Sequence, residues 1–429
     1  MAYSDISHGL WAATAKKNPQ LKALFGEKNT EIAIIGGGYT GLSAALHLAK
    51  KGHSCVLLEA NSVGFGGAGR NVGLVNAGLW LMPEDVISIV GKAHGETLIQ
   101  VLGDSPDLVY GLIEEYDIPC EPWRYGTLHC ADSGAGYRAL QSRERQWQER
   151  GADVRLLEKD EAAEKLGSKA FRGALIDKRA GTVQPLAYAF GLASAAQKEG
   201  ADLYENSPVI ELDKNEQGYI LVTPQGQVRA QKVIVAVQGY PEKVFQNQVD
   251  NIVPFNYFQF ATPPLDPSVL KTVLPGKNGA WDTNLILSSF RLDESGRLVV
   301  GSVGNVEGFA WDLNQAWAKR TIAKVFPQVG QIDFEFGWYG RIAMTSNHIP
   351  RFHVMDKDMA MVTCYNGRGI GPGSVFGKLL AQYMTDGILA DIPLPVSPMK
   401  AVNFRTLRGL FYEAGSRLYH FAQRRTPLF

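Results

Sequence analysis

The sequence predicts an α/β protein with two domains, one built on a parallel sheet and the other on an antiparallel sheet. Three observations support this fold class. A short apolar run near residue 32 precedes a glycine-rich turn, an amphipathic helix and a second apolar run. Another apolar run at 231–237 predicts a further strand buried on both faces, as in parallel sheets. Residues 250–335 instead contain alternating strands, which are typical of an antiparallel sheet.

Length and composition are typical of a globular protein with two domains. The chain has 429 residues, of which 45% are hydrophobic and 20% charged. Its formal net charge is zero, so we expect no nucleic-acid partner. Residues 1–17 lack a signal-peptide pattern, and no apolar run is long enough to predict a transmembrane helix. The four scattered cysteines show no metal-ligand spacing, and we expect a cytoplasmic protein without a metal site.

A strand, a glycine-rich turn and a helix follow one another in residues 32–49. Gly36, Gly38 and Gly41 match G-x-G-x-x-G in this turn. Gly36 would make the tight turn, Gly38 would let the backbone approach a pyrophosphate, and Gly41 would allow close helix packing. The helix N-terminus offers N–H donors and a positive dipole end to the phosphates. The pattern indicates a Rossmann-type dinucleotide-binding unit.

An acidic residue ends the second strand of this unit. Residues 56–58 are apolar, and Glu59 follows Gly41 by eighteen positions. A carboxylate here can accept hydrogen bonds from ribose hydroxyls, and it disfavours a 2′-phosphate. Strand, turn, helix and acid are all present, which makes the match more specific than a lone motif. The motif alone does not decide between FAD and NAD.

A second glycine-rich stretch, GFGGAGRNVGLVNAG, covers residues 64–78. Its glycines alternate with apolar residues, which is not typical of a flexible linker. We expect its backbone to pack closely against a cofactor, with Arg70 and Asn71 supplying polar contacts. A third glycine-rich stretch, CYNGRGIGPGS, covers residues 364–374. Contacts from such distant segments favour FAD over NAD.

Together these motifs resemble those of the D-amino-acid oxidase-like FAD-dependent oxidoreductases. This family includes glycine oxidase, sarcosine oxidase and the γ-glutamylputrescine oxidases, and the last branch is the most similar. The resemblance implies a Rossmann-type FAD-binding domain of the glutathione-reductase type and a discontinuous α+β substrate domain on an antiparallel sheet. The stretches that carry it are GGGYTGLSAALHLA (36–49), GFGGAGRNVG (64–73), GTVQPLAYAFGLASAA (181–196), WYGRIAMTSNHIP (338–350) and YNGRGIGPG (365–373).

The resemblance also implies domain boundaries. We expect the FAD-binding domain in residues 1–94, 176–249 and 336–399, and the substrate domain in residues 95–175 and 250–335. In the remaining residues, 400–429, the spacing of apolar side chains and the excess of arginine predict a basic amphipathic C-terminal helix. Docking on the protein body is the commoner role for such a helix, and a membrane surface is the alternative.

Candidate cofactor contacts follow from the fingerprint and the resemblance. Residues 341–345 contain no cysteine, where sarcosine oxidases attach their flavin, so we expect FAD to be bound non-covalently. This chain departs from the family at Ala68, where a serine is usual, and at Asn347, where an aspartate is usual. The expected FAD contacts are Gly36, Gly38, Tyr39, Thr40, Gly41, Glu59, Ala60, Gly67, Ala68, Gly69, Arg70, Asn71, Val72, Gly73, Val209, Gly239, Gly340, Gly367, Arg368, Gly369, Ile370 and Gly371.

The resemblance implies oxidation of an amine or amino acid to an imine, which water then hydrolyses. The candidate substrates are a γ-glutamyl-polyamine type compound and a secondary or cyclic amino acid such as pipecolate, proline or sarcosine. Arg341 and Arg291 are candidate anchors, because arginine binds carboxylates in a bidentate fork. His348 is a candidate catalytic residue, although a lone histidine is often structural. The candidates for an apolar pocket wall are Trp338, Tyr339, Tyr257 and Phe258.

The sequence is compatible with more than one electron acceptor for the reduced flavin. Related sarcosine oxidases activate oxygen with a lysine, and residues 278–318 contain none. Oxygen activated in another way and a quinone or electron carrier are the alternatives. An FAD-binding subunit without amine chemistry and an NAD-dependent dehydrogenase are the other classes to consider.

Overall fold

The computed structural model describes residues 8–16, 18–240, 253–399 and 415, so the expected C-terminal helix lies almost wholly outside the described residues. The helices are α1 (Leu10–Thr14), α2 (Tyr39–Lys50), α3 (Pro83–Val90), α4 (Lys92–Gly103), α5 (Ser105–Glu115), α6 (Gly134–Gln148), α7 (Lys159–Leu166), α8 (Pro185–Lys198), α9 (Pro267–Leu270), α10 (Phe309–Val325) and α11 (Ile370–Asp386). Short 3₁₀ helices are Gly67–Gly69, Pro327–Val329 and Leu389–Asp391.

The strands alternate with these helices along the chain. They are β1 (Gly26–Ile35), β2 (Cys55–Leu58), β3 (Leu74–Val75), β4 (Thr127–Cys130), β5 (Val154–Leu157), β6 (Ala174–Asp177), β7 (Gly181–Thr182), β8 (Asp202–Tyr204), β9 (Glu211–Asn215), β10 (Gly218–Thr223), β11 (Gly226–Val235), β12 (Val253–Pro264), β13 (Gly279–Asp282), β14 (Ser288–Leu292), β15 (Arg297–Val303), β16 (Phe336–Met344), β17 (Arg351–Asp356) and β18 (Met359–Thr363).

The first of two eight-stranded sheets carries the glycine-rich fingerprint. Its parallel part has the order β18, β11, β1, β2, β8. Strand β17 pairs antiparallel with β18. Strand β10 pairs antiparallel with β11, and β9 pairs antiparallel with β10. Ile32 and Ile34 face the core that includes α2, α8 and α11, whereas Ala33 and Ile35 face a second core. The prediction of a strand buried on both faces is therefore confirmed.

The second sheet has the order β16, β12, β15, β14, β13, β4, β6, β5. Its neighbours are antiparallel except for the parallel pair β13 and β4. Phe258 and Phe260 of β12 pack in one apolar core with Phe290 of β14 and Trp317 of α10. This sheet confirms the expected antiparallel architecture of the second unit.

The expected domain boundaries differ from the sheets at two places. β16 lies within 336–399, expected in the FAD-binding domain, yet it pairs along its length with β12 of the second sheet. α4 and α5 lie mostly within 95–175, expected in the substrate domain, yet their apolar residues share the core of α2 and α11. A hydrophobic period shows that a face is buried, but it does not show which element covers that face.

The N-terminal helix α1 is inserted where the two sheets meet. Trp11 is fully buried, and its indole Nε1 donates to the carbonyl oxygen of Asn71 at 2.8 Å. Its ring also meets that of Trp338 edge-on at 5.5 Å. The side chain of Gln184 donates to the Trp11 carbonyl at 2.9 Å. A few N-terminal residues thus fix the glycine-rich stretch against β16. No helix within the described part of the chain is long and apolar enough to cross a membrane.

Candidate functional site

A cavity of about 870 Å³ lies between the two sheets. The carboxyl ends of β1, β2 and β11 contribute one side, which is where open α/β sheets bind ligands. The second sheet contributes the other side through residues of β12, β13, β14 and β16. A volume of this size is within the usual range for ligand and cofactor sites, which is about 300–1,000 Å³.

The fingerprint glycines fold as the sequence predicts. Gly36 has a φ of +108°, a backbone conformation that disfavours side chains. A Cβ at Gly41 would overlap the carbonyl oxygen of Gly36, so only glycine lets α2 approach the turn. Gly38 is the N-cap of α2 and provides no side-chain cap, so the first N–H groups of the helix are open to the cavity. This is the arrangement that binds phosphates.

Glu59 lies at the carboxyl end of β2 and lines the cavity. Its Oε2 accepts a hydrogen bond from the Gly37 N–H at 2.6 Å, and its Oε1 accepts one from Asn61 at 2.9 Å. The carboxylate is therefore held beside the glycine-rich turn. This position suits the ribose contact that the sequence predicts.

The stretch around Arg70 is folded backbone and not a linker. The Tyr39 hydroxyl donates to the carbonyl of Ala68 at 2.7 Å, and the Asn71 side chain donates to the same carbonyl at 2.7 Å. Asn71 Oδ1 also accepts from the Gly73 N–H at 2.8 Å. These bonds hold the 3₁₀ turn of residues 67–69 against the N-terminus of α2. The backbone of this stretch therefore packs closely against α2, as its glycine content predicts.

Arg70 is almost fully buried at the edge of the cavity. Its guanidinium lies 4.4 Å from the ring centroid of Phe65 and 5.6 Å from that of Tyr240. Burial lowers the pKa of this guanidinium, and interaction with Tyr240 acts in the opposite direction. The Arg70 carbonyl accepts from Gln259 at 2.6 Å and from Trp338 at 3.2 Å, so the residue also contacts the second sheet.

Arg341 is a half-buried residue of β16 whose position lines the cavity. Its Nη1 donates to the carbonyl of Gly239 at 3.4 Å, and its guanidinium lies 5.5 Å from the Tyr240 ring centroid. The structure therefore places one of the two expected carboxylate anchors in the cavity wall.

Arg291 requires a correction. Its side chain is 1% exposed, and it is not part of the cavity lining. Nη1 donates to the carbonyls of Val183 at 2.5 Å and of Val72 and Gly73 at 3.3 Å each, and Nε donates to Leu292 at 3.1 Å. Arg291 thus braces the backbone behind the glycine-rich stretch. Its guanidinium faces carbonyl oxygens and not a substrate, so the expected anchoring role has no support.

The two histidines of this region differ in environment. His348 lies in a turn with a φ of +55°, lines the cavity, and its buried Nδ1 has no hydrogen-bond partner among the described residues. His353, which follows in β17, interacts through Nδ1 with the carbonyl of Ser397 at 2.7 Å. Burial lowers the pKa of His353. Of the two, only His348 is at the cavity.

Most of the expected FAD contacts line the cavity, while a smaller group does not. That smaller group is Gly41, Gly69, Gly73, Arg368 and Gly371. A Cβ at each of these four glycines would overlap the backbone or side chain of a neighbour, so they allow close packing behind the lining. The lining contains Gly36, Gly38, Tyr39, Thr40, Glu59, Ala60, Gly67, Ala68, Arg70, Asn71, Val72, Val209, Gly239, Gly340, Gly367, Gly369 and Ile370.

The apolar wall differs in part from the expected one. Tyr257 lines the cavity, and its hydroxyl donates to Ser289 at 2.7 Å. Trp338 packs instead on Trp11, Phe258 lies in the core of the second sheet, and the Tyr339 hydroxyl bonds to a carboxylate. The wall includes several residues that sequence reasoning missed: Trp80, Tyr240, Trp281, Leu285, Ile286, Leu287, Ile342 and Tyr365.

The position of Tyr240 in the sheet topology could have predicted its place in the cavity wall. Tyr240 comes just after the carboxyl end of β11, where ligands of parallel sheets bind. Trp80 and Trp281 carry no comparable signal, because chain segments far apart in sequence bring them to the cavity.

Comparison with known proteins decides the family. The family profile described as FAD dependent oxidoreductase matches residues 31–383. The chain belongs to this family. It is therefore an FAD-dependent oxidoreductase, and the resemblance noted from its motifs is confirmed.

The relatives of this oxidoreductase match it over most of its length. Gamma-glutamylputrescine oxidoreductase of Escherichia coli is 29% identical over 97% of this chain and 99% of its own. A probable oxidoreductase OrdL of Haemophilus influenzae is 29% identical over 89% of both chains. The crystal structure of glycine oxidase from Geobacillus kaustophilus superposes with a TM-score of 0.71 at 20% identity, covering 88% of this chain and 99% of that one. That superposition confirms the fold.

The residues of the oxidoreductase fit FAD. A Cβ at Gly37 would meet the Glu59 side chain at 3.0 Å, so the turn and the acid form one tight cradle beside the open N-terminus of α2. Gly67 and Gly340 bring bare backbone to the cavity further along. Residues 36–40 and Glu59 would hold the adenosine and pyrophosphate part, and the stretch around Arg70 would hold the remainder.

Proposed function

We propose that this protein oxidises the C–N bond of an amine or amino acid to an imine, which water hydrolyses to a carbonyl product. The observation that carries this proposal is the cavity itself, since the dinucleotide fingerprint and the side chains of the second sheet line one continuous space. Bound FAD would supply the chemistry by accepting the hydride equivalent. None of the lining residues within the described part of the chain is a cysteine, which supports non-covalent binding.

The proposed substrate classes are a γ-glutamyl-polyamine type compound and, as the second candidate, a secondary or cyclic amino acid. The E. coli relative named for γ-glutamylputrescine covers nearly the whole chain and supports the first. L-proline dehydrogenase from P. horikoshii shares the fold with a TM-score of 0.70 at 18% identity. The family resemblance implies the second candidate, and this shared fold is compatible with it.

The second sheet would bind and orient the substrate. Tyr257, Trp281 and Val303 line the cavity and would exclude water from the reacting carbon. Low polarity favours the neutral amine, which the reaction requires. Arg341 would attract a carboxylate near the reacting amine. His348, with its free Nδ1 among the described residues, is the candidate to hold a proton.

The electron acceptor and compartment are also proposals. The lack of lysine in residues 278–318 disfavours the lysine-assisted oxygen chemistry of sarcosine oxidases and supports a quinone or protein carrier as the alternative to oxygen. All four cysteines are buried and free, which fits a reducing cytoplasm. Admitting oxygen to the substrate-reduced protein tests the acceptor. Reoxidation within the turnover time indicates an oxidase, and slow reoxidation that a quinone analogue accelerates indicates a dehydrogenase.

Mixing the FAD-loaded protein with amines under anaerobic conditions tests the reaction. We expect the flavin absorbance to bleach with a γ-glutamyl diamine or a secondary amino acid. Failure of every amine and amino acid to bleach it would instead support an FAD-binding subunit without amine chemistry.

A further inference from the structure

A cluster of cationic and aromatic side chains lies directly behind one part of the cavity wall. The guanidinium of Arg368 is 4.8 Å from the ring centroid of Trp80 and 5.5 Å from that of Trp281. Both indoles line the cavity, as do Gly367 and Gly369 on either side of the arginine. Arg368 itself is 6% exposed. One buried guanidinium therefore contacts both tryptophans that close this end of the cavity.

The positive charge of this cluster is met by backbone carbonyls and not by a bonded carboxylate. Arg368 Nη1 donates to the carbonyls of Ala77 at 2.9 Å and Gly78 at 3.4 Å, and Arg143 of α6 donates to those of Trp80 and Leu81. Among the described residues, no carboxylate forms an ion pair with Arg368 or Arg143. Asp177 attracts both at longer range, but its carboxylate is already bonded to Arg179 through two hydrogen bonds at 2.9 and 2.7 Å. Asp85 interacts only with Arg143 at longer range. Burial, with repulsion from Arg143 second, lowers the pKa of Arg368 to about 9, so it remains charged at neutral pH.

The same cluster contains three buried nitrogen atoms that have no hydrogen-bond partner in the part of the chain that the structure describes. They are Arg368 Nε, Trp281 Nε1 and His129 Nδ1. The His129 ring stacks on Trp281 at 4.9 Å, so all three residues are in contact through one indole. Burial keeps the pKa of His129 well below its ordinary value. Arginine and tryptophan nitrogens can only donate, and unsatisfied buried donors are rare in folded proteins. Within the described chain, the Arg368 and Trp281 donors lack an acceptor, and His129 Nδ1 is a third donor in the tautomer that carries its proton on that nitrogen.

We propose that Arg368, Trp281 and His129 form an anion-binding subsite that receives a carboxylate of the substrate. The shared chemistry is that of a small monoanion, so a free halide could also occupy it. The inference rests on the proposed function, because it takes the cavity to be the substrate site. An acceptor with a negative charge would satisfy the orphaned donors and offset the positive charge of the cluster.

The position of the subsite selects the substrate class. Arg341 lies in β16, whereas Trp281 lies in β13, four strands away in the order of the second sheet. A carboxylate beside the reacting amine, as in proline, would meet Arg341. A carboxylate at the far end of a long molecule would reach the Trp281 indole in the cavity wall, with the Arg368 guanidinium directly behind that indole. The subsite therefore favours elongated amines with a remote carboxylate, as in γ-glutamyl amines.

Ligand binding without turnover tests the subsite first. Glutarate and bromide are titrated separately into the FAD-loaded protein, and tryptophan fluorescence and the flavin spectrum are recorded. We expect saturable binding of glutarate that weakens about tenfold or more in Arg368→Gln, because a charge-assisted hydrogen bond is lost. Arg368→Lys should recover part of the affinity. Trp281→Phe keeps the ring but removes the donor, and it should weaken binding several-fold even if Arg368→Gln does not fold.

The matched control is Arg229→Gln, since Arg229 lies on β11 in a partly exposed ion pair with Glu27 at 4.0 Å. It should leave glutarate binding unchanged. Equal affinity in the wild type, Arg368→Gln and Trp281→Phe would overturn the subsite. Saturable binding of bromide that glutarate does not displace would overturn the carboxylate assignment and leave a free-halide site.

Kinetics with a matched substrate pair then link the subsite to catalysis. A γ-glutamyl diamine is compared with its N-(4-aminobutyryl) analogue, which keeps the amino group of the glutamyl part and lacks only the carboxylate. In Arg368→Gln we expect KM to rise about tenfold or more for the first compound and to stay unchanged for the second. Equal effects on both compounds would overturn the assignment. If neither compound bleaches the flavin but glutarate binding still depends on Arg368, the proposed amine chemistry fails and the subsite stands.

Discussion

The hydroxyl of Tyr240 accepts a hydrogen bond from the backbone N–H of Arg341 at 2.7 Å. Tyr240 follows β11 of the first sheet, and Arg341 lies in β16 of the second, so this bond joins the two sheets at the cavity. The same ring lies beside the guanidinium groups of Arg70 and Arg341. One side chain thus connects the first sheet, the glycine-rich stretch and the second sheet.

Tyr240→Phe should lower the free energy of unfolding by about 1–2 kcal/mol, since it leaves the Arg341 N–H without its acceptor. Urea unfolding followed by circular dichroism measures this change. Tyr125→Phe is the control, because Tyr125 is 59% exposed and its hydroxyl lies at the surface. Equal midpoints for the two variants would show that the bond between the sheets contributes no stability.

Glu59→Ala should raise the dissociation constant of FAD about tenfold or more. The change removes the acceptor that holds the Gly37 N–H and is placed for the ribose hydroxyls. Titration of the apoprotein with FAD, followed by flavin fluorescence, measures the constant. Glu27→Ala, at an exposed position on β1, is the matched control and should bind FAD as the wild type does. Wild-type affinity in Glu59→Ala would contradict the role assigned to the fingerprint acid.

Arg291→Gln should destabilise the protein by about 3 kcal/mol or more, because the carbonyls of Val72, Gly73 and Val183 lose a shared buried donor. Thermal or urea unfolding measures this loss. Arg341→Gln should leave stability nearly unchanged and raise KM for α-amino-acid substrates instead. A stable Arg291→Gln protein with a raised KM would reverse the assignment of the two arginines.

Acid should destabilise the protein through its buried histidines. Burial, with Arg70 second for His8, lowers the pKa of both His8 and His47 from the ordinary 6.5 to about 4. Between these values the unfolded chain binds protons that the folded chain does not, so stability falls as pH decreases from about 6.5 towards 4. Thermal unfolding over this range should show a smaller decrease in His47→Gln. An unchanged slope in that variant would argue against the contribution of His47.

The parts of the fold that sequence reasoning predicts well are those set by local chemistry. Gly36, Gly38 and Gly41 are required by a turn and a close helix contact within a few residues of themselves. Glu59 ends a short strand whose direction follows from the preceding helix. Such signals depend on neighbours in the chain, so a single sequence contains them.

The parts that it misses depend on contacts between distant segments. Arg291 looks like a substrate anchor in its strand, but the carbonyls that it binds belong to the glycine-rich stretch and to residue 183. Trp11 gives no signal of a structural role until β16 and Asn71 pack around it. Arg368, in the turn before α11, and Trp281 of β13 meet only because these distant segments converge behind the cavity. No local period or motif encodes these contacts.

Anaerobic reduction combined with product analysis is the sharpest test of the proposed amine oxidation. The FAD-loaded protein is mixed with a γ-glutamyl diamine, and bleaching of the flavin is compared with the amount of carbonyl product formed. We expect one carbonyl product for each flavin reduced, and we expect the remote carboxylate to be required for tight binding. Full loading with FAD but neither bleaching nor product, with this compound and with a panel of secondary amino acids, would contradict it.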